Sequence, residues 1–344
     1  MPDPSRDPDR GPRIRSRRAL LAAGLALGAT GCTLSDPAVR PADGAWPSAT
    51  GRPTATPTPF APGLDRDRAT EAALAASALA LRDRTEPDRK RRRDLLTLMA
   101  RCHQERAVAL AAPDPTARPT AGTGPSTPAS GTPSASGRPA PRRAARLVAD
   151  EQAVAKRYRS AAVVASGPAA LLWGSMAVAS SSFAGALAAE EPPASADVTA
   201  HRPLRLVSDA EAVTALVANL HAVVWGYQLA IGRLPAGASR NRAVAGLRDR
   251  RALQDRLVGQ LLQAGVEVPA AAAAYDPDPE VRDAGDARLL IRRMESRLLP
   301  FCGLWLAAAA RPRDRRLALD TLESTRTTAT SWGAPLTAWP GWAD

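Results

Sequence analysis

Histidine and glutamate at metal-ligand spacing would be the first sign of chemistry in this 344-residue chain. A carboxylate-bridged dimetal centre in a four-helix bundle takes a Glu from each of two helices and a Glu-x-x-His pair from each of the other two. The three histidines are His103, His201 and His221, and the residues three positions before them are Ala, Val and Ala. The sequence therefore predicts no such centre, no metal and no cofactor.

A single-metal site is a weaker hypothesis. His221 and Glu295 lie on two predicted helices of the second half and could face each other across it. One such pair supplies few of the ligands that a metal ion needs, so a polar pair at the rim of the core is the commoner outcome.

Other catalytic patterns are missing from the sequence. It contains no Gly-x-Ser-x-Gly, no Ser-x-x-Lys, no phosphate-binding loop and no Cys-x-x-Cys. Scattered serine and aspartate residues do not identify a triad. The prediction is that the protein is not an enzyme.

The N-terminal segment has the composition of an export signal. Residues 13–18 are mostly arginine, and residues 19–31 form an apolar run. A membrane-spanning helix needs about 20 apolar residues, so this shorter run is typical of a signal peptide. Residues 1–31 are therefore predicted to be a signal peptide.

Cys32 ends this segment in a context that suggests acylation. Residues 29–32, Ala-Thr-Gly-Cys, resemble a bacterial lipobox, in which the cysteine thiol receives the lipid. Arg17 and Arg18 resemble the twin-arginine export signal. We expect a lipoprotein anchored through Cys32 at the extracytoplasmic face of the cell membrane.

The other two cysteines leave two interpretations open. Cys102 and Cys302 lie on predicted helices, one in each half of the chain. After export they could form a disulfide between the halves, or they could be small buried residues.

Three segments are too rich in Pro, Ser, Thr and Gly to pack into a core. Residues 32–63 are predicted to be a flexible tether, residues 113–142 a disordered loop, and residues 190–203 a divider. The expected organisation is an N-terminal four-helix unit over residues 64–190 and a C-terminal one over residues 204–344.

Apolar periodicity predicts four helices in each half. In the second half, apolar and small residues recur at spacings of three and four in four groups: Leu216, Leu220, Val223, Tyr227, Ile231 and Leu234; Leu253, Leu257 and Leu261; Leu290, Met294, Leu298, Phe301 and Trp305; and Ala318, Leu322, Thr325, Ala329 and Trp332. The fold class is therefore predicted to be all-α.

The spacing of the helices predicts their connectivity. In each half the longest connection falls between the second and third helices, whereas the fourth helix opens at a proline, Pro168 or Pro312. A four-helix bundle with one long crossover has the ferritin-like arrangement. We expect two such bundles, packed as a pseudo-dimer.

The second half also resembles a known family. Residues 215–227, the Arg-rich segment 240–262 and the closing Trp-Pro-Gly at 339–341 resemble the exported ferritin-like domain of unknown function found in lipoproteins of high-GC Gram-positive bacteria. The resemblance covers about 140 residues and implies a ferritin-like fold. Members of that family commonly carry a Glu before the first-helix His, where this chain has Leu220.

Residues 160–189 carry no charge and could be mistaken for a membrane span. They are rich in Ala, Ser and Gly, with a Gly-Pro break, and they lack the Leu and Ile density of a good span. A helix that is apolar all round is buried on all sides, so we expect this one where the two bundles meet.

The net charge of +12 does not indicate nucleic acid binding. Only two of the 46 basic residues are Lys, most Arg lie among acidic residues, and the densest basic run, residues 90–93, has no aromatic residue that could stack on a base. Taken together, the sequence predicts a lipid-anchored, non-catalytic binding or scaffolding module of the cell envelope. Its partner would be an envelope protein or an anionic wall polymer, and the alternative is a ferritin-like metal-dependent oxidoreductase or metal-storage protein.

Overall fold

The computed structural model describes residues 39–41, 64–117, 140–189, 201, 204–278 and 280–342. In these ranges the elements are β1 (Val39–Pro41), α1 (Asp65–Arg82), α2 (Lys90–Ala111), α3 (Ala140–Val164), α4 (Pro168–Ala188), α5 (Asp209–Arg233), α6 (Ala238–Gln263), β2 (Tyr275–Pro277), α7 (Ala284–Ala308) and α8 (Pro312–Ser331). The all-α class and the four helices in each half are confirmed. Arg17, Arg18 and Cys32 lie outside the described residues.

Local sequence signals set the ends of several helices. Ser208 caps α5 with a capping box, in which its hydroxyl accepts from the Glu211 backbone N–H at 3.2 Å while the Glu211 carboxylate accepts from the Ser208 N–H at 2.9 Å. Helices α4 and α8 begin at Pro168 and Pro312, as predicted, because a first-turn N–H needs no partner within the helix.

The helices pack pairwise within each half and also between the halves. In the first half, α1 packs on α2 and α3 packs on α4; in the second, α5 packs on α6 and α7, and α7 packs on α8. Across the halves, α4 contacts α7 and α8, and α3 contacts α8. One continuous apolar core therefore includes residues of both halves.

Helix α4 lies in this shared core, as its composition predicted. A Cβ on Gly174 would fall 2.4 Å from Leu306 Cδ2 of α7, so a larger residue here would require the Leu306 side chain to move. By length and composition alone, α4 and α5 are both apolar enough to span a membrane, and 78% and 50% of their most apolar windows are buried inside the fold. Core packing accounts for the apolar character of α4.

The C-terminal segment after α8 packs against both halves. A Cβ on Gly303 of α7 would fall 1.9 Å from the carbonyl oxygen of Gly341, and Gly341 itself has a φ of +93°. Its Cβ position lies 3.3 Å from Leu171 of α4. The segment that ends at Trp342 is thus wedged between α7 and α4.

A short two-stranded ribbon adds to the helices. Val39–Pro41 pairs antiparallel with Tyr275–Pro277, in the register Val39 to Pro277. This places three residues of the predicted tether against the connection between α6 and α7, while the rest of the tether lies outside the described ranges. Most of the predicted loop 113–142 and divider 190–203 also lies outside them.

Candidate functional site

The first half contains a buried cluster of ionisable side chains, here called the first cluster. It consists of Glu71 from α1, His103 and Arg106 from α2, and Glu151 and Tyr158 from α3. None of these residues is more than 1% exposed. Burial of this kind requires the charges to be paired and hydrogen-bonded.

His103 bridges the two carboxylates. Its Nδ1 lies 2.7 Å from Glu71 Oε2 and its Nε2 lies 2.6 Å from Glu151 Oε1. An ionised carboxylate can only accept hydrogen bonds, so both ring nitrogens must carry protons. Burial alone would lower the pKa of His103, but attraction by Glu151 and Glu71 outweighs it and raises the pKa to about 9.

Glu71 is held by three partners. Its Oε1 accepts from the Tyr158 hydroxyl at 2.7 Å, and its Oε2 lies 3.6 Å from Arg106 Nη1 besides accepting from His103. Burial would raise the pKa of Glu71, but the His103 and Arg106 charges and the hydrogen bonds bring it below its usual range. Glu151 is held less completely, since no described residue donates to its Oε2.

Arg106 connects the cluster to α4 and to the C-terminal segment. Its Nη1 donates to Ser180 Oγ at 3.2 Å, and its Nε and Nη2 both donate to the carbonyl oxygen of Ala338 at 3.3 Å. The guanidinium also lies 5.3 Å from the centre of the Phe183 ring. Two cations, His103 and Arg106, thus balance two carboxylates, Glu71 and Glu151.

The second half has a smaller buried cluster, here called the second cluster: Tyr227 of α5, Arg250 of α6, Glu295 of α7 and Thr325 of α8. The Tyr227 hydroxyl donates to Glu295 Oε1 at 2.7 Å. Arg250 forms an ion pair with both oxygens of Glu295, and its Nη1 donates to Thr325 Oγ1 at 3.1 Å. Burial opposes the charge of Arg250, but the Glu295 carboxylate raises its pKa above the usual range.

The two clusters share a design. In each, a tyrosine hydroxyl donates a 2.7 Å hydrogen bond to a buried glutamate, between the first and third helices of its half. The second helix supplies the cations in both cases. The order of the two residues is reversed between the halves. In the first half the glutamate, Glu71, is on the first helix and the tyrosine, Tyr158, on the third, whereas in the second half Tyr227 is on the first helix and Glu295 on the third.

His221 and Glu295, the residues weighed above for a single-metal site, have separate partners in the structure. The two ring nitrogens of His221 are engaged elsewhere: Nδ1 accepts from Gln254 at 2.7 Å, and Nε2 donates to the Pro269 carbonyl at 3.1 Å. Glu295 is neutralised by Arg250. Across the described residues, no group of three or more His, Cys, Asp or Glu side chains has the geometry of a metal site.

Cys102 and Cys302 are both free, buried thiols in the structure. The disulfide that the sequence left open is therefore not formed. Burial raises the pKa of Cys102 to about 12 and that of Cys302 to about 11. Cys302 Sγ lies 3.7 Å from Thr325 Oγ1, next to the second cluster.

His201 packs against two tryptophans of the C-terminal segment. Its ring centre lies 4.6 Å from that of Trp339 and 4.3 Å from that of Trp342. Burial lowers the pKa of His201 to about 4, although the Pro115 backbone and the Asp114 charge favour the protonated form. The ring is therefore a neutral core residue at neutral pH.

The sequence interpretation missed most of the first cluster. It noted His103 but not Glu71, Arg106, Glu151 or Tyr158. A signal was present: Glu151 follows Leu147 by four residues and precedes Val154 by three, so the carboxylate occupies the apolar face of α3. A charged residue at helical spacing from the apolar residues of a buried helix face indicates a buried ion pair.

This geometry limits what the first cluster can do chemically. The charges are balanced within the protein and the side chains do not reach solvent, so no substrate can contact them without the helices separating. The arrangement joins α1, α2, α3 and the C-terminal segment through hydrogen bonds, and it keeps a proton between two carboxylates.

One family model matches the second half of the chain. Residues 212–344, less than half of the chain, match the model of a domain of unknown function, DUF4439. A crystal structure of a conserved hypothetical protein from Mycobacterium tuberculosis is 29% identical, over 36% of this chain and 93% of that chain, with a TM-score of 0.35. No curated protein matches the chain.

Proposed function

We propose that the protein is a lipid-anchored module of the cell envelope that binds or scaffolds a partner without catalysis. The main support for a non-catalytic role is that the side chains of the first cluster are inaccessible to solvent. Glu71, His103 and Glu151 have the residue types of a catalytic or metal site, yet each is fully buried and held by protein side chains.

The ferritin-like part of the proposal is supported by connectivity. In each half the longest connection joins the second and third helices, residues 112–139 and 264–283, while the third and fourth helices are joined by three residues. This is the arrangement of a four-helix bundle with one long crossover. The match of residues 212–344 to a domain of unknown function assigns no activity to this half.

The location is supported by the sequence alone. The basic and apolar segments before Cys32, together with Arg17 and Arg18, resemble the signal of an exported lipoprotein. An acyl chain on Cys32 would provide the membrane attachment, and the Pro-rich residues 33–63 would separate the helices from the membrane surface.

Fractionation and mass analysis test the anchor. The wild-type protein should be found in the membrane fraction, with an acyl mass increment on Cys32, and Cys32→Ala should appear in the soluble extracytoplasmic fraction. Cys102→Ala is the matched control, because it removes a buried thiol and leaves the signal intact. Membrane retention of Cys32→Ala would contradict lipid anchoring.

Salt dependence separates the two kinds of partner. Envelope binding that falls steeply with ionic strength indicates an anionic wall polymer, because screening weakens contacts between exposed charges. Binding that is insensitive to salt indicates a protein partner in a helix groove. Recovery of the protein with neither polymer nor protein from crosslinked envelopes would contradict the binding role.

A second candidate function is the metal-dependent oxidoreductase. The observation that favours it is the convergence of Glu71, His103 and Glu151, with one Glu151 oxygen that receives no donor from the described residues. Redox activity of the purified protein with iron or manganese, lost in His103→Gln, would establish it.

A further inference from the structure

The first cluster occupies positions that can be compared with those of a ferritin-like dimetal centre. Such a centre takes a Glu from each of two helices and a Glu-x-x-His pair from each of the other two. Glu71 on α1 and Glu151 on α3 match the two single glutamates, and His103 on α2 matches one histidine. The inference that follows rests on the ferritin-like part of the proposed function.

The remaining three positions hold residues that cannot bind a metal well. On α2 the glutamate position, three residues before His103, is Ala100, and on α4 the pair corresponds to Ser180 and Phe183. All three are buried. The Phe183 ring lies edge-on to His103, with ring centres 5.6 Å apart, and the Ser180 hydroxyl accepts a hydrogen bond from Arg106. Both α4 residues therefore contact the first cluster.

The donor set does not fit a pair of metal ions. Two divalent ions are normally balanced by four carboxylates, whereas the first cluster has two. His103 uses both ring nitrogens on carboxylates, which leaves none for a metal. Arg106 brings a second positive charge to within 3.6 Å of Glu71.

We propose that the imidazolium of His103 and the guanidinium of Arg106 take the two cation positions of a ferritin-like dimetal centre, so that the first half is a bundle stabilised by protein cations in place of metal. The carboxylates that would bind metal are kept as partners for these cations. The hydroxyl of Ser180 and the carbonyl of Ala338 hold Arg106 in place.

Metal rescue tests this proposal in the full chain. The double variant Arg106→Ala with Phe183→His removes one cation and adds one ligand next to His103. It should unfold at a lower temperature than the wild type, and saturating Zn²⁺ or Co²⁺ alone should raise its Tm by about 5 °C or more, because ligand binding to the folded state stabilises it. Wild-type Tm should be unchanged by either metal or by EDTA.

The second cluster provides the matched control. Arg250→Ala also removes a buried cation, but it leaves a single carboxylate, Glu295, with no histidine beside it. This variant should lose stability without recovering it when metal is added. A folded double variant that gains no stability from metal, or a wild-type protein destabilised by EDTA, would overturn the proposal.

Nitrogen-15 NMR of the His103 ring tests the same point if the double variant does not fold. In the wild-type protein at neutral pH both ring nitrogens should give the signals of a protonated imidazolium. Signals of a neutral ring would overturn the proposal. The anchoring tests on Cys32 do not depend on this result. A neutral His103 ring would rule out the assignment of His103 and Arg106 to the cation positions, but it would leave the proposed lipid anchor unaffected.

Discussion

The Tyr158 hydroxyl donates a 2.7 Å hydrogen bond to Glu71 Oε1, joining α3 to α1 inside the first half. Tyr227 makes the equivalent bond to Glu295 in the second half. In both cases the acceptor is a buried carboxylate, and hydrogen bonds to charged groups contribute more to stability than neutral ones.

Removing this hydroxyl should measurably weaken the fold. Tyr158→Phe and Tyr227→Phe should each lower the free energy of unfolding by about 2 kcal/mol, because a buried carboxylate loses a donor. Tyr275→Phe is the control, since the Tyr275 hydroxyl accepts a neutral 3.0 Å bond from the Ala272 backbone and should cost less. Urea unfolding measures all three; equal losses would mean that the carboxylates do not depend on the phenols.

The C-terminal segment should not tolerate a methyl group at its contact with α7. Gly303→Ala should destabilise the protein by 2 kcal/mol or more, roughly the cost of overpacking a core, because the new Cβ would overlap the Gly341 carbonyl. Gly185→Ala, where nothing lies within 4 Å of the new Cβ, should be neutral or stabilising. Thermal unfolding of the two variants gives the comparison, and similar Tm values would refute the wedged packing.

Alkaline pH should weaken the first cluster. The pKa of His103 is raised to about 9 in the folded protein, from the ordinary histidine value of 6.5. Its contribution to stability is therefore complete below pH 6.5 and is lost as the pH rises through 9. Urea midpoints should fall between pH 6.5 and 8.5, a range below the titration of unfolded thiols, and a flat profile would argue against an imidazolium at His103.

Acid should weaken the packing around His201. Its pKa is lowered from the ordinary histidine value of 6.5 to about 4 in the folded protein, so the unfolded chain binds more protons between these values. Stability is then lost as the pH falls from 6.5 towards 4, by up to on the order of 3 kcal/mol. His201→Phe keeps an aromatic ring against Trp339 and Trp342 and should flatten this loss; an unchanged profile would exclude His201 as its source.

Much of the fold was predictable from the sequence because local signals are strong in it. The period of Leu290, Met294 and Leu298 identified α7, and Pro168 and Pro312 marked the starts of α4 and α8. These features depend on residues close together in the chain.

The candidate site was harder to predict because it is assembled from distant residues. Glu71 and Glu151 both form hydrogen bonds with His103, and Arg106 donates to the carbonyl oxygen of Ala338. No spacing rule links these positions. His221 and Glu295 have separate partners, because a buried arginine that no sequence pattern singled out, Arg250, pairs with the Glu295 carboxylate.

Elemental analysis of the full protein, recovered from membranes of cells that express it, tests whether protein cations take the place of metal ions in the first cluster. If protein cations balance the buried carboxylates, the folded helical protein should carry no stoichiometric iron, manganese or zinc. Stoichiometric metal that disappears in His103→Gln would contradict the account and would identify the first cluster as a metal centre.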